Sequence, residues 1–279
     1  MSRSRTRERR QQREAERKRQ QRIVIAAAIA AVAVLLVIFF ILAQQPADAV
    51  IPEGVAERYE GIPQSVSDAG YPVLGNPNAP VQVMEYSSFD CPHCKDFHAE
   101  AVTALVERAR EGEIVFTYVP IYGTGGIANG QGAARAALCA GEQDAFWPYH
   151  STLFEWQNLY GNTAFAGNRL TSGVDNLALD RAAWDACFAS QRPDEVLESA
   201  INDASNLSGF SGTPTVTVNG QIVTPTLSAI NAAIDAALLT APPIEEAPVD
   251  AESTVETEVT EAAEEVVTEE ADAEATEEE

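Results

Sequence analysis

The sequence predicts an α/β domain on a mixed sheet, carried behind one N-terminal transmembrane helix. Three observations predict it. Residues 23–43 form an apolar run without a charge, a Gly or a Pro. Between about residues 71 and 240, short β-forming runs are interleaved with helical periodicity. Within that stretch, Asn219-Gly220 separates two β-forming runs, a strong short-range hairpin signal.

Residues 1–22 hold ten Lys/Arg against three Glu, and 23–43 follow as IVIAAAIAAVAVLLVIFFILA. At 1.5 Å per residue this run reaches about 30 Å, the thickness of a bilayer core. Ala47-Asp48-Ala49 has the small-x-small form of a cleavage site. Cleavable apolar regions are usually about 7–15 residues, so an uncleaved signal-anchor is expected. The basic head then stays cytoplasmic, and everything after residue 43 lies outside the cell membrane, where disulfides persist. Residues 44–70, with Pro46, Pro52, Gly54, Gly61 and Pro63, read as a stalk or linker.

In the domain at 71–240, Val81–Tyr86 and Ile114–Val119 read as strands and Cys91–Arg110 as a helix. Residues from 129 to about 207 have a helical pattern, broken by an Asn/Gly-rich loop near 158–173. Thr215–Val218 and Gln221–Val223 make the hairpin, and Leu227–Leu239 closes the domain as a helix. Residues 241–279 alternate Glu with Ala, Val and Thr, and read as an acidic disordered tail that buries too little apolar area to offset its ordering entropy. The chain carries a formal charge of −24. That acidity argues against a nucleic-acid partner, because it repels phosphate.

Chemistry concentrates at Cys91-Pro92-His93-Cys94, a C-x-x-C between a strand and a helix. Unpaired N–H groups and the dipole at a helix start stabilise a thiolate at Cys91. His93 adds charge or a hydrogen bond, and Pro92 sits where a missing N–H costs nothing. Cys94, one turn on, is placed to resolve a mixed disulfide, with Cys91 the exposed reactive sulfur. Half of a zinc site needs a second close pair, and Cys139 and Cys187 are 48 positions apart. No metal or cofactor is expected. A plain structural disulfide fits the strand-to-helix setting poorly.

The stretch from Val83 to Cys94 (VMEYSSFDCPHC) and Gly212-Thr213-Pro214-Thr215-Val216-Thr217-Val218-Asn219-Gly220 resemble the thioredoxin-like, DsbA-type thiol–disulfide oxidoreductases. The resemblance covers about residues 71–240 and implies a thioredoxin fold with a helical insertion at about 127–207. It implies a cis Pro214 facing the cysteines, with substrate backbone pairing beside it. It implies oxidation of reduced exported proteins, with a quinone-linked membrane partner restoring the disulfide. Cys-Pro-His-Cys matches the oxidant members. Thr213 replaces the Val of some oxidants and occurs in isomerase-like relatives. Glu85 stands where such proteins bury a Glu, often paired with a Lys on the next strand. The only lysines here are Lys18 and Lys95. Glu85 is therefore solvated, paired otherwise, or protonated by desolvation, and it is either a proton relay or a satisfied structural acid.

Cys139 and Cys187 lie in helical patterns. They are two buried thiols or, in an oxidising compartment, the expected structural disulfide. His98 is expected at the surface, and His150 in helix packing. Besides the oxidase, the open readings are an isomerase or reductase, a membrane-tethered chaperone or binding module that keeps working without Cys91, and a metal chaperone.

Overall fold

Val81–Ser88 (β3) and Ile114–Ile121 (β4) are rich in β-branched and aromatic residues and lie side by side, parallel, from Val81 opposite Ile114 to Ser88 opposite Ile121. Every residue of β4 is buried, as in a strand covered on both faces. The computed structural model describes residues 2–43 and 47–241. The acidic tail, from residue 242 on, lies outside them.

Around the central pair, Gln64–Val66 (β1), Pro72–Leu74 (β2), Thr215–Val218 (β5) and Gln221–Val223 (β6) complete a sheet of order β1-β2-β4-β3-β5-β6. All pairs but β3–β4 are antiparallel. Asn219 and Gly220 both take positive φ between β5 and β6, the conformation that a two-residue hairpin turn requires.

The helix after the cysteines is Pro92–Phe97 (α2), one π-helical turn at His98–Val102, and Thr103–Arg110 (α3). The insertion holds Gly130–Gly141 (α4), Phe146–Tyr160 (α5), Gly167–Asn176 (α6), Arg181–Phe188 (α7) and Arg192–Asn206 (α8). Leu227–Leu238 (α9) follows the hairpin. One sheet face packs the main core, with Phe97, Leu105, Trp147, Phe154 and Ile230. On the other, Ala200 and Ala204 of α8 pack on Tyr86, Val119 and Ile121.

Two expectations are corrected. The segment 44–70 is not a free stalk where it is described: Ala49, Val55, Tyr59 and Ile62 are core residues, and Gln64–Val66 is a strand. Gly54 and Gly61 lie in turns between short packed pieces. The irregular loop near 158–173 shrinks to about 161–166, because α5 runs to Tyr160 and α6 begins at Gly167. Gly173 inside α6 is a packing residue. A Cβ there would stand 2.5 Å from the Trp156 ring.

Ser2–Ala43 (α1) is one helix. Its stretch Arg17–Ile41 includes an 18-residue window with a mean hydropathy of 3.3 and no buried part, and is long and apolar enough to cross a membrane. This fits a single-pass anchor.

Candidate active site

β3 ends at Ser88, and the chain turns through Phe89 and Asp90 into α2, so the cysteines sit at the C-terminal edge of the central strands. Cys91 is the N-cap, in extended conformation, and Pro92 opens the helix. Cys94 has no exposed surface, and Cys91 keeps 3%. Cys91 is thus more enclosed than an exposed reactive sulfur, because the Thr213 loop covers it. Its Sγ donates to the Thr213 carbonyl at 3.5 Å. The Thr213–Pro214 peptide is cis. Pro92 and His93 are exposed.

The two sulfurs differ in their electrostatics. The Cys94 thiol, with the Thr213 hydroxyl and the backbone N–H groups of Cys94 and His93, holds Cys91 down to about 5 against the opposing effect of burial. Burial pushes Cys94 far up, and its contact with Cys91 adds to this. The Ser88 N–H donates to Cys94 Sγ at 3.5 Å. Such a pair has one sulfur that attacks and leaves readily and one that must be protonated when reduced.

Glu85 lies beneath, fully buried, with neither oxygen hydrogen-bonded. Burial raises it to about 7; the nearby Ser87 hydroxyl opposes this weakly without forming a well-shaped hydrogen bond. Of the three alternatives for Glu85, solvation and a paired partner find no support in this burial, which favours the protonated carboxyl. His98 is corrected. It stacks on Phe154 at 4.9 Å and meets His150 at 5.0 Å, with Nδ1 buried. The helix face it shares with Cys91 turns inward against α5. His150 is fully buried among aromatic rings.

Several residues that shape the site carried no sequence signal. Gln157, on α5, donates to the carbonyls of Phe89 and, at 3.5 Å, Cys91. Asp90 accepts from the Ser88 hydroxyl and, at 3.0 Å, from the Gly123 N–H. Thr124 and Thr213 share a hydroxyl hydrogen bond of 2.7 Å. Gly125 lies so close to the turn that a Cβ would stand 1.7 Å from the Asp90 carbonyl oxygen. The adjacency of Asp90 to Cys91 was a usable hint. Gln157, 66 positions from Cys91, offered none.

Cys139 and Cys187 are disulfide-bonded, with Cα atoms 5.6 Å apart, and tie α4 to α7 away from the site. Among the described residues, no group of three or more His, Cys, Asp or Glu could hold a metal.

Residues 67–236 match the family described as Thioredoxin. Disulfide bond formation protein D of Bacillus subtilis is 29% identical over 170 residues, 55% of this chain and 70% of that protein. A thioredoxin-like oxidoreductase from Silicibacter pomeroyi has a similar structure: 28% identity, TM-score 0.51, 61% of this chain and 93% of the other. The Na(+)/H(+) antiporter NhaA 3 of Salinispora tropica is 34% identical over 149 residues, but the match spans 22% of its length. The chain belongs to the thioredoxin family, in its DsbA-like group. Within that family it is a protein thiol–disulfide oxidoreductase.

Proposed function

We propose that the chain is an oxidase that introduces disulfides into exported proteins, working outside the cell membrane from a single-pass anchor with a cytoplasmic N-terminus. The observation that carries the direction is the contrast at the cysteine pair. Stabilising the Cys91 thiolate stabilises the reduced centre, and a stabilised reduced form makes a strong oxidant. A substrate thiolate attacks Cys91 Sγ, the Cys91–Cys94 bond breaks, and Cys94 leaves with the electron pair and takes a proton. A second substrate thiolate attacks the substrate sulfur of the mixed disulfide and releases Cys91 as thiolate. Glu85 supplies the proton to Cys94. Thr213 and Pro214 present backbone to the substrate, and His93 assists the Cys91 thiolate from the exposed side.

The disulfide Cys139–Cys187 is structural in this reading. A quinone-linked membrane protein restores the Cys91–Cys94 bond in this reading, as the resemblance to the DsbA-type oxidoreductases implies. We assign the chain a basic cytoplasmic segment at 1–22, a membrane span at 23–43, a catalytic domain and an acidic tail.

The test is the reduction potential of the Cys91–Cys94 couple, by equilibration with glutathione. A value well above about −200 mV is expected; one near thioredoxin's, about −270 mV, overturns the oxidase. That outcome would favour a reductase or isomerase, the reading supported by Thr213. Loss of oxidation in Cys91→Ser excludes a binding module that works without the thiol.

A further inference from the structure

Behind the cysteine pair lies a line of buried polar side chains with no hydrogen-bond partner among the protein atoms: Glu85, Ser87, Tyr118, His150 and, at Nδ1, His98. They are contiguous. Glu85 and Tyr118 stand opposite each other across β3 and β4. Tyr118 meets His150 edge to face, with ring centres 4.7 Å apart. His150 meets His98 in the same way at 5.0 Å. His98 lines a surface cleft of about 200 Å³, with Arg58, Lys95 and Glu155 among its other walls.

Each such atom costs about 1–3 kcal/mol when buried unpaired, and an apolar side chain would remove that cost. The remaining rings around His150, those of Phe89, Phe146, Trp147 and Phe154, are apolar. Glu85, Tyr118, His150 and His98 thus form a connected set of unpaired polar side chains from the buried acid to the cleft.

We propose that Tyr118, His150 and His98 form a proton path joining Glu85 to this cleft, and that it recharges Glu85 each time Cys94 is protonated. The proposal rests on the proton-donor role of Glu85 given above and extends it. Cleavage of the Cys91–Cys94 bond leaves Cys94 as a thiolate where burial disfavours charge. Glu85 gives that sulfur its proton and becomes a carboxylate in an equally dry place. One proton must enter from solvent to restore it.

A neutral imidazole can accept a proton at one nitrogen and release one at the other. Burial keeps both imidazoles neutral near pH 7. It pushes His98 down to about 3, with Arg58 adding to the effect. It pushes His150 well down, with His98 adding. The groups facing His98 are His150 and, in the cleft, Arg58, Lys95 and Glu155; those facing His150 are His98 and Tyr118. The path requires that a small side-chain rotation or a bridging water close each gap along the line. One proton enters at His98 and one reaches Cys94; no electrons move along the path.

The test uses the oxidised full chain in detergent, jumped from above to below the Glu85 midpoint of about 7. The protonated carboxyl of Glu85 is followed by time-resolved infrared absorption. Tyr118→Phe, which removes one oxygen and keeps the ring, is expected to slow its appearance by about tenfold or more. His150→Phe and His98→Phe are expected to do the same, with the equilibrium midpoint unchanged. Wild-type rates in the three variants overturn the path. So does a shifted midpoint at unchanged rate, which marks a purely structural role. Glu85→Gln separates the two levels of the argument: the carboxyl signal disappears and reduction of the disulfide slows. If reduction is not slowed, the donor role of Glu85 fails, whatever the infrared rates of the other variants.

Discussion

At the scale of the residue, function depends on making two cysteines three positions apart chemically unlike. Cys91 is surrounded by groups that favour its thiolate, and Cys94 is sealed in apolar packing. The thiolate absorbance of the reduced protein should therefore titrate with a midpoint of about 5. Cys94→Ala should raise that midpoint, because the Cys94 thiol is the largest contributor. A midpoint near the ordinary thiol value of about 8.5 in the wild type would sink this account. Gln157→Ala should lower stability by about 1–3 kcal/mol, measured by denaturant unfolding, because the Phe89 carbonyl loses its donor while the Cys91 carbonyl keeps the Lys95 N–H. Cys91 and Cys94 were legible because short spacing and covalent order define them, whereas Pro214 was carried only by the family resemblance of its segment. The state of Glu85 was not, because it depends on what covers the strand. Gln157 was invisible, because only the packing of α5 brings it to the turn.

At the scale of the element, β4 was legible from its composition, and the hairpin from Asn219-Gly220. The packed pieces between 49 and 66 were not. Tyr59 is held by a 2.6 Å hydrogen bond to Ser151 and a ring contact with Trp147, partners almost a hundred positions away. No local pattern reports such contacts. The disulfide between α4 and α7 closes a loop with a sequence separation of 48. Replacing Cys139 and Cys187 together by Ala should cost about 4 kcal/mol in the chain-entropy model, read as a lower denaturant midpoint. The alkylation rate of reduced Cys91 should be unchanged, since the bridge lies outside the site. Gly125→Ala should act in the opposite manner. Its Cβ must displace the turn at Asp90, and a shift of about 1 Å can cost on the order of a hundredfold in reactivity. The alkylation rate of Cys91 should fall in that variant. Equal rates would mean that the loop around Gly125 yields without moving the cysteine turn.

At the scale of the whole molecule, the buried acid and the buried imidazoles set opposing dependences of stability on pH. Glu85 rises from 4.5 to about 7 on folding. Its contribution is full below about 4.5, where it is protonated in both states. It is lost as pH climbs towards 7, because the unfolded chain ionises there and the folded chain resists. His150 is lowered well below 6.5 on folding. Its contribution is full above about 6.5 and is lost as pH falls, because only the unfolded chain takes up the proton. Each group changes the slope by about 1.4 kcal/mol per pH unit within its window. Between pH 4.5 and 6.5, Glu85→Gln should make stability rise with pH more steeply than in wild type by about that amount. His150→Phe should make it rise less steeply by a similar amount. Urea unfolding of the oxidised protein, followed by the fluorescence of Trp147, Trp156 and Trp184, measures both slopes. The oxidised form is used because its cysteines do not titrate. Two variants whose slopes move in the same direction would show that burial does not hold Glu85 and His150 in their uncharged forms, and the protonation states assigned to the site would fall with that result.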